Sequence, residues 1–148
     1  MSQHRYVETS ALLRVILEGD ETMQPLLLAG TCYTSALTFA EARRAIRRAR
    51  STGRLDAAGA QSARRRVAEF ESWSEVIPIG DDVLRRTAEE FPVEPVRTLD
   101  AIHLATMQLL AETLPELDVV STDDRIRENA EALGIKVASA TASGAILE

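Results

Sequence analysis

Short apolar runs alternate with segments of helical periodicity along most of the chain, and this alternation constrains the fold more than any other feature. A buried parallel strand is a short apolar run, whereas a helix packed on a sheet repeats its apolar residues every three or four positions. Regular alternation of the two is typical of a sheet with helices on both faces. We therefore predict an α/β fold, a three-layer α/β/α sandwich with a mainly parallel, roughly five-stranded sheet. The predicted strands are residues 6–7, 31–35, 76–79, 117–120 and 135–138.

The helices are predicted from apolar spacing together with residues that start or end a helix. Gly19 and Gly134 are typical of helix ends, and Pro92 and Pro95 enforce a loop. Short polar side chains before a helical segment are typical N-caps. The predicted helices are residues 11–18, 25–29, 38–50, 57–73, 83–91, 99–114 and 123–133, with Asp20, Asp56, Asp81 or Asp82, and Thr98 as N-caps.

Length and composition limit the kind of protein. The chain has 148 residues, 45% of them apolar, which is enough to bury one continuous core. We therefore expect one domain over residues 1–148. No segment resembles a bilayer-spanning helix or a secretory signal, and Cys32, the single cysteine, is expected to be a buried strand residue. These features predict a cytoplasmic protein with no membrane contact.

Four acidic residues occupy positions where strands end and helices begin. Glu8 ends the first strand, Glu41 lies in the first turn of the helix after the second strand, Asp100 lies in the first turn after the proline loop, and Asp123 follows the fourth strand. Singly, an acid in a first turn is explained by the helix dipole. A carboxylate that directly ends an apolar strand is costly without a partner. Because the carboxyl ends of parallel strands share one edge of a sheet, we expect all four acids at one site.

Four clustered carboxylates imply a particular chemistry. Like charges at close range raise the pKa values of acids, so such a cluster needs cations to stay ionised. Mg²⁺ or Mn²⁺ fits these donors best, since both ions prefer carboxylate oxygens and water. Either ion activates a water molecule and stabilises the charge that develops on a phosphoryl group. The predicted chemistry is phosphodiester hydrolysis.

Four segments also carry a family resemblance. They are Tyr-Val-Glu-Thr-Ser-Ala-Leu-Leu (6–13), Phe-Ala-Glu-Ala (39–42), Leu-Asp-Ala-Ile-His-Leu-Ala (99–105) and Val-Ser-Thr-Asp-Asp-Arg-Ile (120–126). In order and spacing they resemble the four acidic motifs of PIN-domain ribonucleases, and in particular the VapC-type toxins of bacterial toxin-antitoxin pairs. No single motif is specific, but the ordered set is, and the resemblance covers residues 6–137.

The resemblance implies a metal site with nearby hydroxyls that position water or phosphate. The implied metal-binding acids are Glu8, Glu41, Asp100 and Asp123, and the implied hydroxyls are those of Thr9, Ser10 and Ser121. Most members of the family carry aspartate where this chain has Glu8, so the position or affinity of the metal is expected to differ. The resemblance further implies a cognate antitoxin that sends a basic side chain toward the carboxylates, and a homodimer or a toxin-antitoxin hetero-oligomer.

The basic residues are concentrated on two predicted helices. The net charge of −6 argues against a generally basic nucleic-acid binder, yet nine of the 17 basic residues lie between positions 43 and 66. Arg43 and Arg47, with neighbouring arginines, are expected to contact an RNA backbone beside the acids. A solvated helix face explains the same run equally well.

Three other residues are given structural roles. Asp124 is expected to cap the helix that follows it. His103 lies on an apolar helical face and is expected to be packed and hydrogen-bonded rather than catalytic. Trp73 is expected to pack against the core or a partner.

Three functions are compatible with these patterns. The first is an endoribonuclease that acts as a toxin and is inhibited by its antitoxin. The second is a non-catalytic PIN-like module that binds protein or RNA, in which Glu8 has weakened metal binding. The third is a solitary nuclease that matures RNA.

Overall fold

A parallel five-stranded sheet forms the middle of the molecule. The computed structural model describes residues 4–140 and 146–147. The strands lie in the order β3-β2-β1-β4-β5, and every neighbouring pair is parallel. They are β1 (His4–Val7), β2 (Thr31–Ser35), β3 (Glu75–Ile77), β4 (Asp118–Val120) and β5 (Lys136–Val137). The predicted mainly parallel, five-stranded sheet is confirmed.

In the part of the chain that the structure describes, seven helices connect and cover these strands. They are α1 (Thr9–Glu18), α2 (Gln24–Leu28), α3 (Ala36–Ser51), α4 (Ala57–Trp73), α5 (Asp81–Arg86), α6 (Thr98–Thr113) and α7 (Asp124–Ala132). A small antiparallel pair, β6 (Ser139–Ala140) and β7 (Ile146–Leu147), follows β5 and was not predicted. Within residues 4–140 and 146–147, no helix is long and apolar enough to cross a membrane.

Alternate residues of the strands supply the two sides of the core. Val7, Cys32 and Val120 pack into a cluster with residues of α1, α3 and α4. Tyr6 and Val119 point the other way, into a cluster with residues of α6 and α7. Because side chains alternate between the two faces of a strand, a sheet covered on both faces is apolar at consecutive positions. The three-layer arrangement is confirmed, and Cys32 is buried in β2 as expected.

Several helix starts differ from the prediction. The side chain of Asp20 accepts hydrogen bonds from the backbone of Thr22 and Met23, so it stabilises the turn before α2 while Met23 is the N-cap. The N-cap of α5 is Gly80 instead of an aspartate. The N-cap of α6 is Arg97, which gives no side-chain cap, so the helix begins one residue earlier than the expected Thr98 cap allows.

The end of α5 was also misplaced. The helix ends at Arg86 instead of continuing to Phe91. Phe91 is buried against the sheet in the cluster that contains Tyr6. Because the Phe91 ring is buried there, tertiary packing, and not helical spacing, decides the conformation of this segment.

The strand order places a crevice beside Glu8. From β1 the chain proceeds to β2 and β3 on one side of the sheet, and later to β4 and β5 on the other. The backbone N–H of Glu8 donates to the carbonyl of Val120 over 2.9 Å, so the ends of β1 and β4 lie together. Ligand sites of open parallel sheets form at such a reversal of strand order, beyond the carboxyl ends of the strands.

Asp56 offers a test of local helix stabilisation. Its carboxylate accepts a hydrogen bond from the Gly59 backbone over 2.7 Å at the start of α4, as predicted from the sequence. Asp56→Ala is expected to lower the free energy of unfolding by about 1 kcal/mol, measured by urea denaturation, because the cap is lost. Asp56→Asn keeps an acceptor oxygen and should stay close to wild type. Equal losses in both variants would show that the cap is not the cause.

Candidate active site

The four acids predicted from the sequence line one cleft, called here the acidic cleft. It has a volume of about 550 Å³ and opens beyond the carboxyl ends of β1 and β4. Its carboxylates are those of Glu8, Glu41, Asp100 and Asp123. Thr9 and Ser10 also line it, whereas Ser121 is buried and does not line it.

Glu8 is held by the two serines. The residue is only 5% exposed and is the N-cap of α1, where its carboxylate accepts a hydrogen bond from the Ser10 backbone over 3.1 Å. The hydroxyls of Ser10 and Ser121 each donate to Glu8 Oε1 over 2.5 Å. The serines also receive hydrogen bonds from the backbone of Thr122 and Asp123, so they tie the start of α1 to the loop after β4. A buried carboxylate requires such partners.

Glu41 lies two residues deeper in α3 than predicted. Ser35 caps the helix through the Leu37 backbone, so α3 begins at Ala36 and places Glu41 in the second turn. Thr9 Oγ1 donates to Glu41 Oε1 over 2.7 Å, and His103 Nε2 lies 2.6 Å from the same oxygen. Partial burial acts to raise the pKa of Glu41, but the hydrogen bonds from His103 and Thr9 outweigh it and lower the pKa below the usual range. Glu41 is therefore favoured as the carboxylate.

His103 contacts a candidate site residue directly, which sequence reasoning missed. It is 1% exposed and hydrogen-bonded, as expected, and its Nδ1 lies 2.7 Å from the Tyr6 hydroxyl. Burial, and next the charge of Glu8, raises the pKa of Tyr6 well above its usual value, so this hydroxyl is a donor. Nδ1 then accepts, and Nε2 carries the hydrogen that is donated to Glu41. The spacing of one helical turn between Asp100 and His103 was the only available sequence signal.

Asp100 and Asp123 complete the acidic lining of the cleft. Asp100 is in the first turn of α6, as predicted. Asp123 is the N-cap of α7 and accepts a hydrogen bond from Ile126 over 3.0 Å. The capping role expected of Asp124 therefore belongs to Asp123, whose backbone is extended, while Asp124 is the first residue of α7. Burial raises the pKa of Asp100, and the charges of Asp123 and Glu8 raise it further.

The side chains of the cleft are of the type that binds a divalent cation, but they lie too far apart to hold one ion together. Carboxylate oxygens are the ligands that Mg²⁺ and Mn²⁺ prefer, and the repulsion on Asp100 is of the sort that a cation relieves. Within residues 4–140 and 146–147, however, no three acidic, histidine or cysteine side chains are grouped closely enough to hold one ion. Glu8 is directed to the serines and Glu41 to His103, which accounts for the separation.

The arginines at the cleft differ from the two singled out in the sequence. Arg44 and Arg48 line the acidic cleft. Arg43 is exposed and pairs with Glu71 over 2.8 Å, and neither Arg43 nor Arg47 lines the cleft. Arg44 and Arg48 follow Glu41 by three and seven positions and so share its face of α3, whereas Arg43 and Arg47 lie away from the cleft.

Comparison with known proteins decides the family. The family model described as "PIN domain" matches residues 5–132. The chain belongs to the PIN domain family. It is 39% identical over 137 residues to "Ribonuclease VapC35" of Mycobacterium tuberculosis, a match that covers 89% of this chain and 93% of that protein. The predicted resemblance to VapC-type PIN domains is confirmed.

Solved structures share the PIN fold. One is a "Toxin-antitoxin complex from Klebsiella pneumoniae", with a TM-score of 0.56, 19% identity, and coverage of 80% of this chain and 86% of that chain. Another is VapBC2 from Rickettsia felis bound to a promoter DNA fragment, with a TM-score of 0.61, 12% identity, and coverage of 90% and 96%. At these identities the likeness concerns the fold.

Glu8 stands where the resemblance led us to expect aspartate in a PIN domain. The hydroxyls of Ser10 and Ser121 converge on Oε1 of its longer side chain. The glutamate is thereby anchored at the edge of the acidic cleft and does not extend freely across it.

The raised pKa of Asp100 predicts the sign of a stability change. A folded-state pKa above that of the unfolded chain means that the folded PIN domain binds the proton more tightly. Stability therefore falls as pH rises through the window between the ordinary carboxyl pKa and the raised one, and ionised Asp100 destabilises the fold at neutral pH.

Asp100→Asn is accordingly expected to raise the urea midpoint at neutral pH, with a gain that shrinks as the pH falls below the ordinary carboxyl range. Asp124→Asn removes one exposed acid nearby and is the matched control for net charge. A lower midpoint for Asp100→Asn at neutral pH would contradict the repulsion inferred for the cleft.

Proposed function

We propose that this PIN domain is a metal-dependent endoribonuclease that hydrolyses RNA phosphodiester bonds. The observation that carries the proposal is the convergence of Glu8, Glu41, Asp100 and Asp123 on one cleft at the reversal of strand order. The similarity to a protein named as a ribonuclease supports the choice of RNA. We further propose that the protein is the toxin of a type II toxin-antitoxin pair, which cleaves RNA in the cytoplasm and so blocks translation and growth.

The proposed cofactor is Mg²⁺ or Mn²⁺. Asp100 and Asp123, with Glu8 and Glu41, would hold it, and the bound ion would supply an activated water and stabilise negative charge on the phosphoryl group. Glu41 is favoured in its ionised form, and its hydrogen bonds from Thr9 and His103 both end on Oε1. Oε2 is therefore available to accept a hydrogen bond from a water molecule in the cleft. Ser10, which lines the cleft, also positions Glu8.

One observation favours a second function, a PIN-like module that binds protein or RNA without cleavage. Among the described residues no three potential ligands are grouped to hold a metal ion. In the ribonuclease, Glu8 and Glu41 would have to turn away from their hydroxyl and imidazole partners toward the ion. In the binding module, Glu8 and Glu41 would keep their hydrogen bonds to these hydroxyl and imidazole partners. Metal binding therefore separates the two functions.

The proposed partner is an antitoxin that docks on an apolar groove between α1, α2 and α4. Leu28 and Trp73 border this groove and are 62% and 45% exposed, which is unusual for large apolar side chains. Trp73 packs edge-on against Phe70, so its ring is held in place. The similarity of fold to a chain of a toxin-antitoxin complex supports such a partner. A homodimer or a toxin-antitoxin hetero-oligomer remains the proposed assembly.

Cleavage of total cellular RNA by the purified chain tests the proposed activity. We expect discrete products with Mg²⁺ or Mn²⁺ and none with EDTA. Asp100→Asn should reduce the rate roughly 100-fold or more, the scale on which loss of one charge-stabilising group lowers kcat. Asp124→Asn, prepared identically, is the matched control and should cleave at nearly the wild-type rate, because Asp124 does not line the acidic cleft.

Two results would overturn the proposal. Absence of cleavage with any RNA, together with absence of Mn²⁺ binding by calorimetry, would leave the binding module. Cleavage that persists equally in Asp100→Asn would indicate a contaminant or a site elsewhere on the protein.

Trp73 reports on the proposed partner because it is the only tryptophan in the chain. Binding of the proposed antitoxin is expected to shift its fluorescence to the blue, since burial removes water from the indole. Trp73→Ala should weaken the complex by roughly 2 kcal/mol, as for a central aromatic contact. Formation of the complex with an unchanged emission spectrum would place the antitoxin on another surface.

A further inference from the structure

A second cleft adjoins the acidic cleft and is called here the basic cleft. It has a volume of about 390 Å³ and lies between α1 and α3. The two clefts share Ser10, Leu13, Ala45 and Arg48 as lining residues. They are therefore two parts of one trough, and a chain bound at the carboxylates can continue into the basic cleft.

Positive charge surrounds this second part of the trough. Arg14, Arg48 and Arg54 line the basic cleft, against a single acid, Glu18. Arg14 Nε lies 2.9 Å from Glu18, and an Arg54 nitrogen lies 3.7 Å from it, so one carboxylate orients two guanidinium groups. Arg48 has no acidic partner among the described residues. Arg14 also lies 3.7 Å from Asp20 outside the cleft, so three cations face two acids, and the remaining positive charge suits an anionic ligand.

The rest of the lining suits the uncharged part of a nucleotide. Leucine and alanine side chains of α1 and α3 form an apolar surface, represented by Leu17 and Ala49. The hydroxyls of Ser10, Thr52 and Thr122 lie among them. An apolar surface with a few polar groups is typical of a pocket that takes a small organic unit, and the guanidinium fork matches phosphate oxygens.

We propose that the basic cleft is a subsite for one nucleotide of single-stranded RNA next to the scissile phosphate. Arg48, on the boundary of the two clefts, binds the phosphate that enters, and Arg14 and Arg54 bind the next one. The base lies on the apolar surface of α1 and α3. An unpaired nucleotide fits such a cleft, whereas duplex RNA is bound across its grooves by shape. The inference depends on the proposed ribonuclease function for the identity of the ligand.

The test measures RNA binding in a chain that does not cleave. Asp100→Asn provides the background, and a short fluorescein-labelled oligouridylate is the probe, followed by fluorescence anisotropy over a range of salt concentrations. Arg48→Gln and Arg54→Gln are each expected to raise Kd roughly tenfold, the loss typical of a hydrogen bond to a charged group. Each should also reduce the salt dependence by about one phosphate contact.

Arg47→Gln is the matched control. It removes the same charge from the neighbouring position of α3, and Arg47 lines neither cleft. Its Kd should stay within about twofold of the background, because an exposed charge away from the RNA is screened by salt. Urea denaturation of all three variants verifies that the exposed substitutions leave the fold intact.

The outcomes separate this inference from the proposed function. Equal weakening by all three variants would indicate general attraction to a basic helix and would overturn the subsite. RNA cleavage by the wild-type chain, with unchanged binding in Arg48→Gln and Arg54→Gln, would leave the ribonuclease and overturn the subsite. Selective loss of binding in those two variants, with neither RNA cleavage nor Mn²⁺ binding by the wild-type chain, would support the subsite and overturn the ribonuclease.

Discussion

The site depends on a buried chain of hydrogen bonds from Tyr6 through His103 to Glu41. It joins the central strand to α6 and α3, and Thr9 of α1 contacts the same Glu41 oxygen. Tyr6 and His103 are inaccessible to water, so an unpaired hydroxyl or ring nitrogen there would be costly. Both imidazole nitrogens are therefore committed, one to each partner. These buried hydrogen bonds therefore fix the position of the Glu41 carboxylate, one of the four at the candidate site.

The surroundings of the acidic cleft shift the pKa values of two of its acids in opposite directions. For Glu41, the opposing effect of burial is overcome by hydrogen bonds from His103 and Thr9, and its pKa is lowered. Its ionised form therefore adds stability above the ordinary carboxyl pKa, and that contribution is lost as pH falls through the lowered value. The pKa of Asp100 is instead raised, first by burial and then by the charges of Asp123, Glu8 and Glu41. In the cleft, the fold thus stabilises the ionised form of Glu41 and destabilises the ionised form of Asp100. Such an arrangement is more typical of a functional site than of a structural one.

Sequence reasoning succeeded where one local signal was sufficient. The strands, the layers and the convergence of Glu8, Glu41, Asp100 and Asp123 follow from apolar runs and from the geometry of parallel sheets. An error arose where two polar residues competed for one helix end, as at Asp123 and Asp124, since either side chain could supply the cap and only the structure shows that Asp123 does. The hydrogen bond between Tyr6 and His103 could not be predicted, because 97 positions of sequence separate the two residues.

The arginines show why net charge says little about the partner of this protein. The chain carries −6 overall, yet charges more than a Debye length of about 8–10 Å apart hardly influence each other at physiological salt. The face of the helix on which each arginine lies determines whether a ligand in the clefts can contact it. On α3, Arg44 and Arg48 lie one turn apart and line the clefts, while Arg43 pairs with Glu71 on the outer side. A run of arginines thus divides into residues beside the carboxylates and residues in solvent, and their spacing from Glu41 along α3 determines which are which.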